Sequence, residues 1–355
     1  MQRLSEKEML ILSATALDAD LPHQEVANRT GCSVGTVRQV LKSLLERRLI
    51  EPRNYIDVFR LNLASYVMLF SLDAKQVSKR PELIEALSSL PGTVWFAEVG
   101  GDYEFVLNIC QGNVHQLLWK VDEIGLRFGN IFSRKIIAQH SMYRDYSYGF
   151  LTEPASNRDF VGTEQQQPIW DFDETDHRVL SLIAAYPSSQ REVARRLGLP
   201  PSTVQYRMER LKELGIWKRT IYLVNHTALG YDFALLLLYA KTSSADLRKR
   251  VHEFCQRNPN VVTLTESIGA WDFEVSAIGK HSNDIKDLRD SLLQTFNDEL
   301  HLVSCIPCYR LLKWNQYPFD RFDGYKESLG EALARPKAPR LKPRRQAGNS
   351  SMPGG

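Results

Sequence analysis

The sequence predicts an α+β protein in which one two-part unit occurs twice: a three-helix module followed by a βαββαβ sandwich. Three observations lead to this. "EVANRTGCSVGTV" at Glu25–Val37 returns as "EVARRLGLPPSTV" at Glu192–Val204, with seven of thirteen positions identical at an offset of 167. "LSEKEMLILS" at Leu4–Ser13 answers "FDETDHRVLS" at Phe172–Ser181, and "EVGGDYEF" at Glu98–Phe105 answers "ESIGAWDF" at Glu266–Phe273, both at an offset of 168. In each copy a helical spacing of apolar residues gives way to strand-like runs. A period this long is too great for a solenoid and implies duplication of a whole unit.

Each unit opens on a capped helix. Ser5 and Asp173 are N-cap residues with an acid three positions later, Glu8 and Asp176, which predicts helices over Glu6–Leu17 and Glu174–Ala185. A second short helix covers Gln24–Thr30, and Gly31 suits the left-handed conformation that ends it. Ser33 then caps a third helix whose Val37, Val40, Leu41 and Leu44 form one apolar stripe. Its other face carries Gly35, Thr36, Arg38, Gln39 and Lys42. In the second copy Ala194 and Gly198 hold the places of Ala27 and Gly31, and Pro201 fits a first helical turn. Val204, Met208 and Leu211 face inward; Ser202, Thr203, Gln205, Tyr206 and Arg210 face outward, with Arg207 at the border.

Helix, glycine turn and a helix with a polar, basic outer face make a helix-turn-helix, whose last helix enters the DNA major groove. The expected DNA contacts are Thr36, Arg38, Gln39 and Lys42 in the first copy. In the second they are Ser202, Thr203, Gln205, Tyr206, Arg207 and Arg210. The plainer alternative is a helical packing module with a solvated outer face.

The second half of each unit reads βαββαβ, a ferredoxin-like sandwich. In the first copy the elements are Leu63–Leu72, Arg80–Leu90, two strands within Thr93–Cys110, Asn113–Phe128 and Ile131–Tyr143. In the second they are Tyr231–Lys241, Ala245–Asn258, Val261–Ile268, Trp271–Ala277, Ser282–Phe296 and Leu300–Trp314. A sheet covered on one face should alternate apolar and polar residues, yet "VMLF" and "ALLLLY" do not. Both faces need cover, which the two sheets supply by packing face to face as an intramolecular pseudo-dimer; the alternative is a strand lying under the linker. The expected divisions are helix-turn-helix domains at 1–58 and 171–225, sandwich domains at 60–147 and 229–320, a linker at 148–170 and a basic, disordered tail at 322–355. A short helix is expected near Glu327–Ala334.

Composition narrows the function classes. Net charge is +3, but the segment from Lys326 onward carries +5 and the rest −2, so nucleic-acid binding must come from local patches and the tail. The longest apolar run, Phe233–Ala240, is too short for a bilayer, and the N-terminus lacks an apolar signal core, so a cytoplasmic protein is expected. Five scattered cysteines, Cys32, Cys110, Cys255, Cys305 and Cys308, are expected as reduced thiols, with Cys305–Cys308 as a redox pair the lesser alternative. No phosphate loop, dinucleotide fingerprint or metal-spaced His/Cys set is present, and no cofactor is expected.

A helix-turn-helix joined to a βαββαβ domain, with G-x-x-D/E between its second and third strands, resembles the Lrp/AsnC transcriptional regulators. Here that motif reads Gly101-Asp102-Tyr103-Glu104 and Gly269-Ala270-Trp271-Asp272. The resemblance covers about 4–143 and 172–317 and is firmer in the second copy, where "STVQYRMERLKELGI" follows the recognition-helix pattern. Val40 stands where the second copy has Arg207, which the family usually keeps. The family usually has one unit per chain and dimerises; this chain carries both.

The resemblance implies double-stranded DNA as partner and higher homo-oligomers. It also implies an amino-acid-like effector held at Gly101, Asp102, Glu104, Gly269 and Asp272, where a glycine turn offers N–H groups to a carboxylate and an acid holds an ammonium. A plain hairpin turn is the alternative. A rival class is also similar in fold: fused sirohaem decarboxylases, for which His226 and Arg219 in "WKRTIYLVNHTALGY" could meet a tetrapyrrole carboxylate. Against it, His115, His140, His252, His281 and His301 read as isolated surface residues. The expectation is therefore a regulator rather than an enzyme.

Overall fold

The structure, a computed structural model, describes residues 2–129, 131–152, 158–164, 172–185 and 189–330. The first unit begins with α1 (Glu6–Thr15), α2 (His23–Thr30) and α3 (Val34–Glu46), followed by β1 (Ile50–Ile56). Its sandwich comprises β2 (Ala64–Leu72), α4 (Arg80–Ser89), β3 (Thr93–Val99), β4 (Phe105–Gln111), α5 (Val114–Phe128) and β5 (Phe132–Tyr146). A further strand, β6 (Phe160–Glu164), precedes the second unit. That unit runs α6 (Glu174–Ala185), α7 (Gln190–Leu197), α8 (Pro201–Glu213), β7 (Trp217–Val224) and α9 (His226–Leu229). It continues through β8 (Asp232–Ala240), α10 (Ala245–Arg257), β9 (Val261–Gly269), β10 (Phe273–Gly279), α11 (Ser282–Thr295) and β11 (Leu300–Trp314), and closes on α12 (Phe322–Leu329).

The repeated phrase is a set of geometric necessities. Glu25 pairs with Arg29 and Glu192 with Arg196, each one helical turn apart. Val26, Ala27, Val193 and Ala194 are buried where helices cross. Gly31 (φ 67°) and Gly198 (φ 63°) take the left-handed conformation that ends α2 and α7. Val37 and Val204 are fully buried. The caps also form: Ser5 and Glu8 make a reciprocal box, as do Asp173 and Asp176, and Pro201 opens α8.

The two sandwiches do more than stack. Their strands join in the order β2-β4-β3-β11-β8-β10-β9-β5-β6, and β2 also pairs with β5. That pairing closes eight strands into a ring, so the two halves share backbone hydrogen bonds at two seams, β3–β11 and β5–β9. β6 pairs with Met142–Tyr146, along the edge of β5 that β2 leaves free.

The non-alternating runs now have their reason. Tyr66, Met68 and Phe70 pack under the helices of the first half, and Leu236 and Leu238 under those of the second. Their neighbours Val67, Leu69, Leu235 and Leu237 point into the ring, with Ala97, Val99, Val106, Ala138, Trp271 and Ile306. Fully burying one Val or Leu side chain contributes roughly 1.5–3 kcal/mol, so this shared core holds the halves together.

A second junction links the heads. β1 and β7 pair antiparallel, from Ile50 opposite Val224 to Ile56 opposite Trp217. Tyr222, Val224 and Leu229 of the second unit join the core of the first helix-turn-helix, and Ile56, Val58, Leu61 and Leu63 join that of the second. The expected linker and tail therefore need correction. Residues 160–164 form β6, because "FVGTE" finds an open edge on β5. The helix expected at Glu327–Ala334 instead lies at Phe322–Leu329, its Tyr325 clustered with Tyr317 and Phe319 against the second head. Residues 331–355, the remainder of the expected tail, lie outside the described residues.

Candidate nucleic-acid interface and central cavity

The last helix of each head presents an accessible polar face. On α3, Arg38, Gln39 and Lys42 are exposed. Thr36 is partly buried, its hydroxyl 2.9 Å from Ser33 Oγ, while its N–H donates to the same oxygen at 3.1 Å. Lys42 lies 3.8 Å from Glu46. On α8, Ser202, Gln205 and Tyr206 are exposed and Thr203 is partly so. Gln205 Nε2 donates to Glu209 at 2.9 Å, an exposed contact.

Arg207 and Arg210 lie differently from expectation. Arg207 Nη1 donates to Asp173 at 2.8 Å and to Asp176 at 3.0 Å, and Arg210 also pairs with Asp176. Asp176 is fully buried, so its charge requires these partners. Both arginines are thus engaged in joining α8 to α6. In the first head Glu8, at the place of Asp176, is paired instead with Arg47, 2.5 Å away. The absence of arginine at Val40 thereby removes an internal tie that the first head makes by another route.

The hairpin acids also have structural work. Glu104 accepts from the Leu72 N–H at 3.2 Å and pairs with Arg80; Asp272 accepts from the Ala240 N–H at 2.8 Å. Leu72 and Ala240 are equivalent positions, each at the end of the strand beside the hairpin, so both acids fasten the same corner. Asp102 is exposed, 3.4 Å from Arg134, and Gly101 (φ 79°) and Gly269 (φ 123°) form the turns. In the structure these residues make contacts within and beside their hairpins.

Sequence reasoning missed a large cavity. A cavity of about 960 Å³ lies between the β1–β7 ribbon and the end of the strand ring. Trp95, Trp314, Tyr309 and Phe233 contribute aromatic walls, and Ser65, Asn108, His140, Tyr143 and Glu274 polar ones. His140, expected as a surface residue, is 1% exposed. Its Nδ1 lies 2.6 Å from Tyr143 Oη; Asn108 Nδ2 donates to Tyr143 at 2.8 Å, and Ser65 Oγ donates to Asn108 at 2.8 Å. Burial pushes the Tyr143 hydroxyl well above its ordinary range and keeps it protonated. Asp145, also lining the cavity, accepts from Tyr55 at 2.6 Å and Thr263 at 2.8 Å, and burial raises its carboxyl pKa. The missed signal was a polar residue inside an apolar strand run, Ser65 in "LASYVMLF" and Asn108 in "FVLNIC".

Cys305 and Cys308 are free thiols, and burial pushes Cys308 upward, which disfavours the reactive thiolate. Among the described residues no His, Cys, Asp and Glu group could hold a metal ion, and no helix is long and apolar enough to cross a membrane.

Comparison with known proteins agrees with this architecture. Residues 172–216 match the family of winged helix-turn-helix DNA-binding domains, and residues 1–47 match sigma-70, region 4. The transcriptional regulator FL11 of Pyrococcus furiosus is 28% identical over 121 residues, 34% of this chain and 78% of its own. The regulator AldR of Mycobacterium tuberculosis is 29% identical over 133 residues, 36% of this chain and 70% of its own. Both are helix-turn-helix-type transcriptional regulators. Among solved structures, the sirohaem decarboxylase NirDL shares the fold over 92% of this chain and 97% of its own, with a TM-score of 0.55 and 15% identity. The chain thus carries two helix-turn-helix heads, each joined to a βαββαβ half, in a fold that resembles that of this solved structure.

Proposed function

We propose that the protein is a sequence-specific, DNA-binding transcription regulator whose two readers differ. The observation that carries this reading is the pair of accessible polar faces on α3 and α8, set on heads that the β1–β7 ribbon ties together. A regulator with identical readers prefers a palindrome. Here Arg38, Gln39 and Lys42 oppose Ser202, Thr203, Gln205 and Tyr206, so each chain selects an asymmetric site. Phosphate contacts from the basic residues make binding fall with salt. Mapping of bound genomic fragments, followed by footprinting, tests it: the expected footprint has two unlike half-sites, and absence of retention on DNA even in dilute buffer overturns it.

The fold likeness to a sirohaem decarboxylase supports an enzymatic second reading, but the cavity's charge opposes it. Its lining carries Glu51, Asp145 and Glu274 against Arg48 and Arg310, with Glu51 paired to Arg53 at 2.7 Å and Arg310 to Glu98 at 2.6 Å, so no surplus of cations faces the cavity. A tetrapyrrole bearing many carboxylates needs a cationic lining. Arg219, suggested by the sequence, is not among the lining residues; His226 is. Absence of a bound visible spectrum on mixing with sirohaem is the expected result.

A further inference from the structure

We propose that the outer face of α5, in the first sandwich, is a docking surface for the chain's own basic tail, residues 331–355. On α5, Val114, Leu118, Trp119 and Leu126 fall within one arc of about 140°, away from the buried stripe of Leu117, Ile124 and Phe128. Trp119 is 57% exposed and Leu126 89%. Single apolar residues on a surface are ordinary, but four on one helix face form a patch of the kind that marks an interaction site.

The second unit shows that the fold does not need this patch. Its equivalent helix is α11, at the offset of 168 that relates the two units. The inward positions keep their apolar character: Ile285, Leu292 and Phe296 stand for Leu117, Ile124 and Phe128. The outward positions do not. Ser282, Lys286, Asp287 and Gln294 stand for Val114, Leu118, Trp119 and Leu126, and all four are exposed. The apolar face therefore belongs to the first unit alone, and its cover must come from something that the second unit does not meet.

Position, reach and charge select the tail. α12 ends on Gly330, which lies against the side chains of Asn113 and Gln116, the N-cap and first turn of α5. Gly112 N–H donates to the Ser328 carbonyl at 2.6 Å and fixes that junction. The tail thus departs beside Val114, and this tether gives it a high local concentration at α5. From Val114 to Leu126 is about 18 Å, which about six residues of extended chain cover. The tail carries Leu333 and Leu341 among six basic residues, with one acid, Glu331. On α5 the exposed Asp122 lies within the apolar face, and Glu123, paired with Lys120 at 3.0 Å, borders it. The leucines cover the apolar side chains, and the basic residues meet these acids and the ring of Trp119. Basic residues held there are withheld from nucleic acid. That consequence rests on the DNA-reading proposal; the docking does not.

Carbodiimide coupling of the full chain without DNA, in an equal mixture of natural and isotope-labelled protein, tests the docking. The expected product joins Lys337 or Lys342 to Asp122 or Glu123 within one chain. Its yield should fall by about tenfold or more when Leu118→Gln, Trp119→Gln and Leu126→Gln are combined. No such product, a product only between natural and labelled chains, or an unchanged yield in the variant overturns the proposal. Hydroxyl-radical footprinting is a second readout that leaves α5 unaltered: oxidation of Trp119 should rise severalfold once residues 331–355 are removed. Equal oxidation with and without the tail, whether Trp119 is open or covered by a second copy, also overturns it. Loss of DNA retention with the cross-link intact overturns the DNA reading and leaves the docking supported.

Discussion

Arg207 Nη1 lies 3.0 Å from Asp176 Oδ1, and that carboxylate has no exposure to solvent. A residue in the DNA-reading face by sequence is thus part of the joint between α6 and α8. The expected consequence of Asp176→Ala is a loss of about 3 kcal/mol, because both Arg207 and Arg210 are left without their shared partner. Arg207→Ala should cost only about 1 kcal/mol, since Arg207 is partly solvated and Arg210 still pairs with Asp176. Chemical denaturation read on the second head checks both.

DNA selectivity should follow the accessible residues. Arg38→Ala with Lys42→Ala is expected to weaken binding across sequences and reduce the salt slope by up to about 2. Gln205→Ala should relax preference in the other half-site by about 1–3 kcal/mol. Shift assays at several salt concentrations, on the mapped site and on versions altered in each half, separate the two. Equal effects on both halves would show that the readers are not distinct.

Removal of the buried Arg158 is expected to be costly. Its guanidinium donates to the carbonyls of Ser147, Cys255, Gln256, Asn258 and Val261 at 2.6–3.1 Å. Cys255 and Gln256 lie in the last turn of α10 and Asn258 is its C-cap, where carbonyls have no partner within the helix. Arg158→Ala should destabilise the second half by about 3–5 kcal/mol, and Arg158→Lys should recover little because an ammonium cannot reach the same fan of acceptors. Hydrogen exchange at the end of α10 gives the local readout.

His177 should contribute to acid sensitivity. Burial lowers its pKa to about 4, and the ring contacts Tyr317 Oη at 2.8 Å. The unfolded chain takes up this proton near pH 6.5 and the folded chain only near 4, so stability is complete above about pH 6.5 and declines as pH falls towards 4. The accumulated loss is up to about 3 kcal/mol. His177→Gln should flatten the slope of unfolding free energy in that window, whatever its effect at neutral pH.

Much of this architecture was readable in the residues because its signals are local. Ser5, Gly31, Ser33, Gly198 and Pro201 act within one or two helical turns, and their positions alone place the heads. The runs "VMLF" and "ALLLLY" announced that both strand faces are covered. They could not announce that the edges also join, since a seam such as Cys308 opposite Val99 pairs residues more than two hundred positions apart. The site was less legible for the same reason. His140 and Glu274 meet only after the ring closes, and Arg207 looks like any exposed basic residue until Asp176 is found beneath it.

The closed ring has a consequence for the company this chain keeps. Regulators built from separate halves can trade them, so related chains in one cell form mixed pairs with mixed targets. Here the seams β3–β11 and β5–β9 are satisfied within one polypeptide, and neither half has those strand edges left to lend. Each half is bound for life to the same unlike companion, which frees the two to specialise without ever being scrambled.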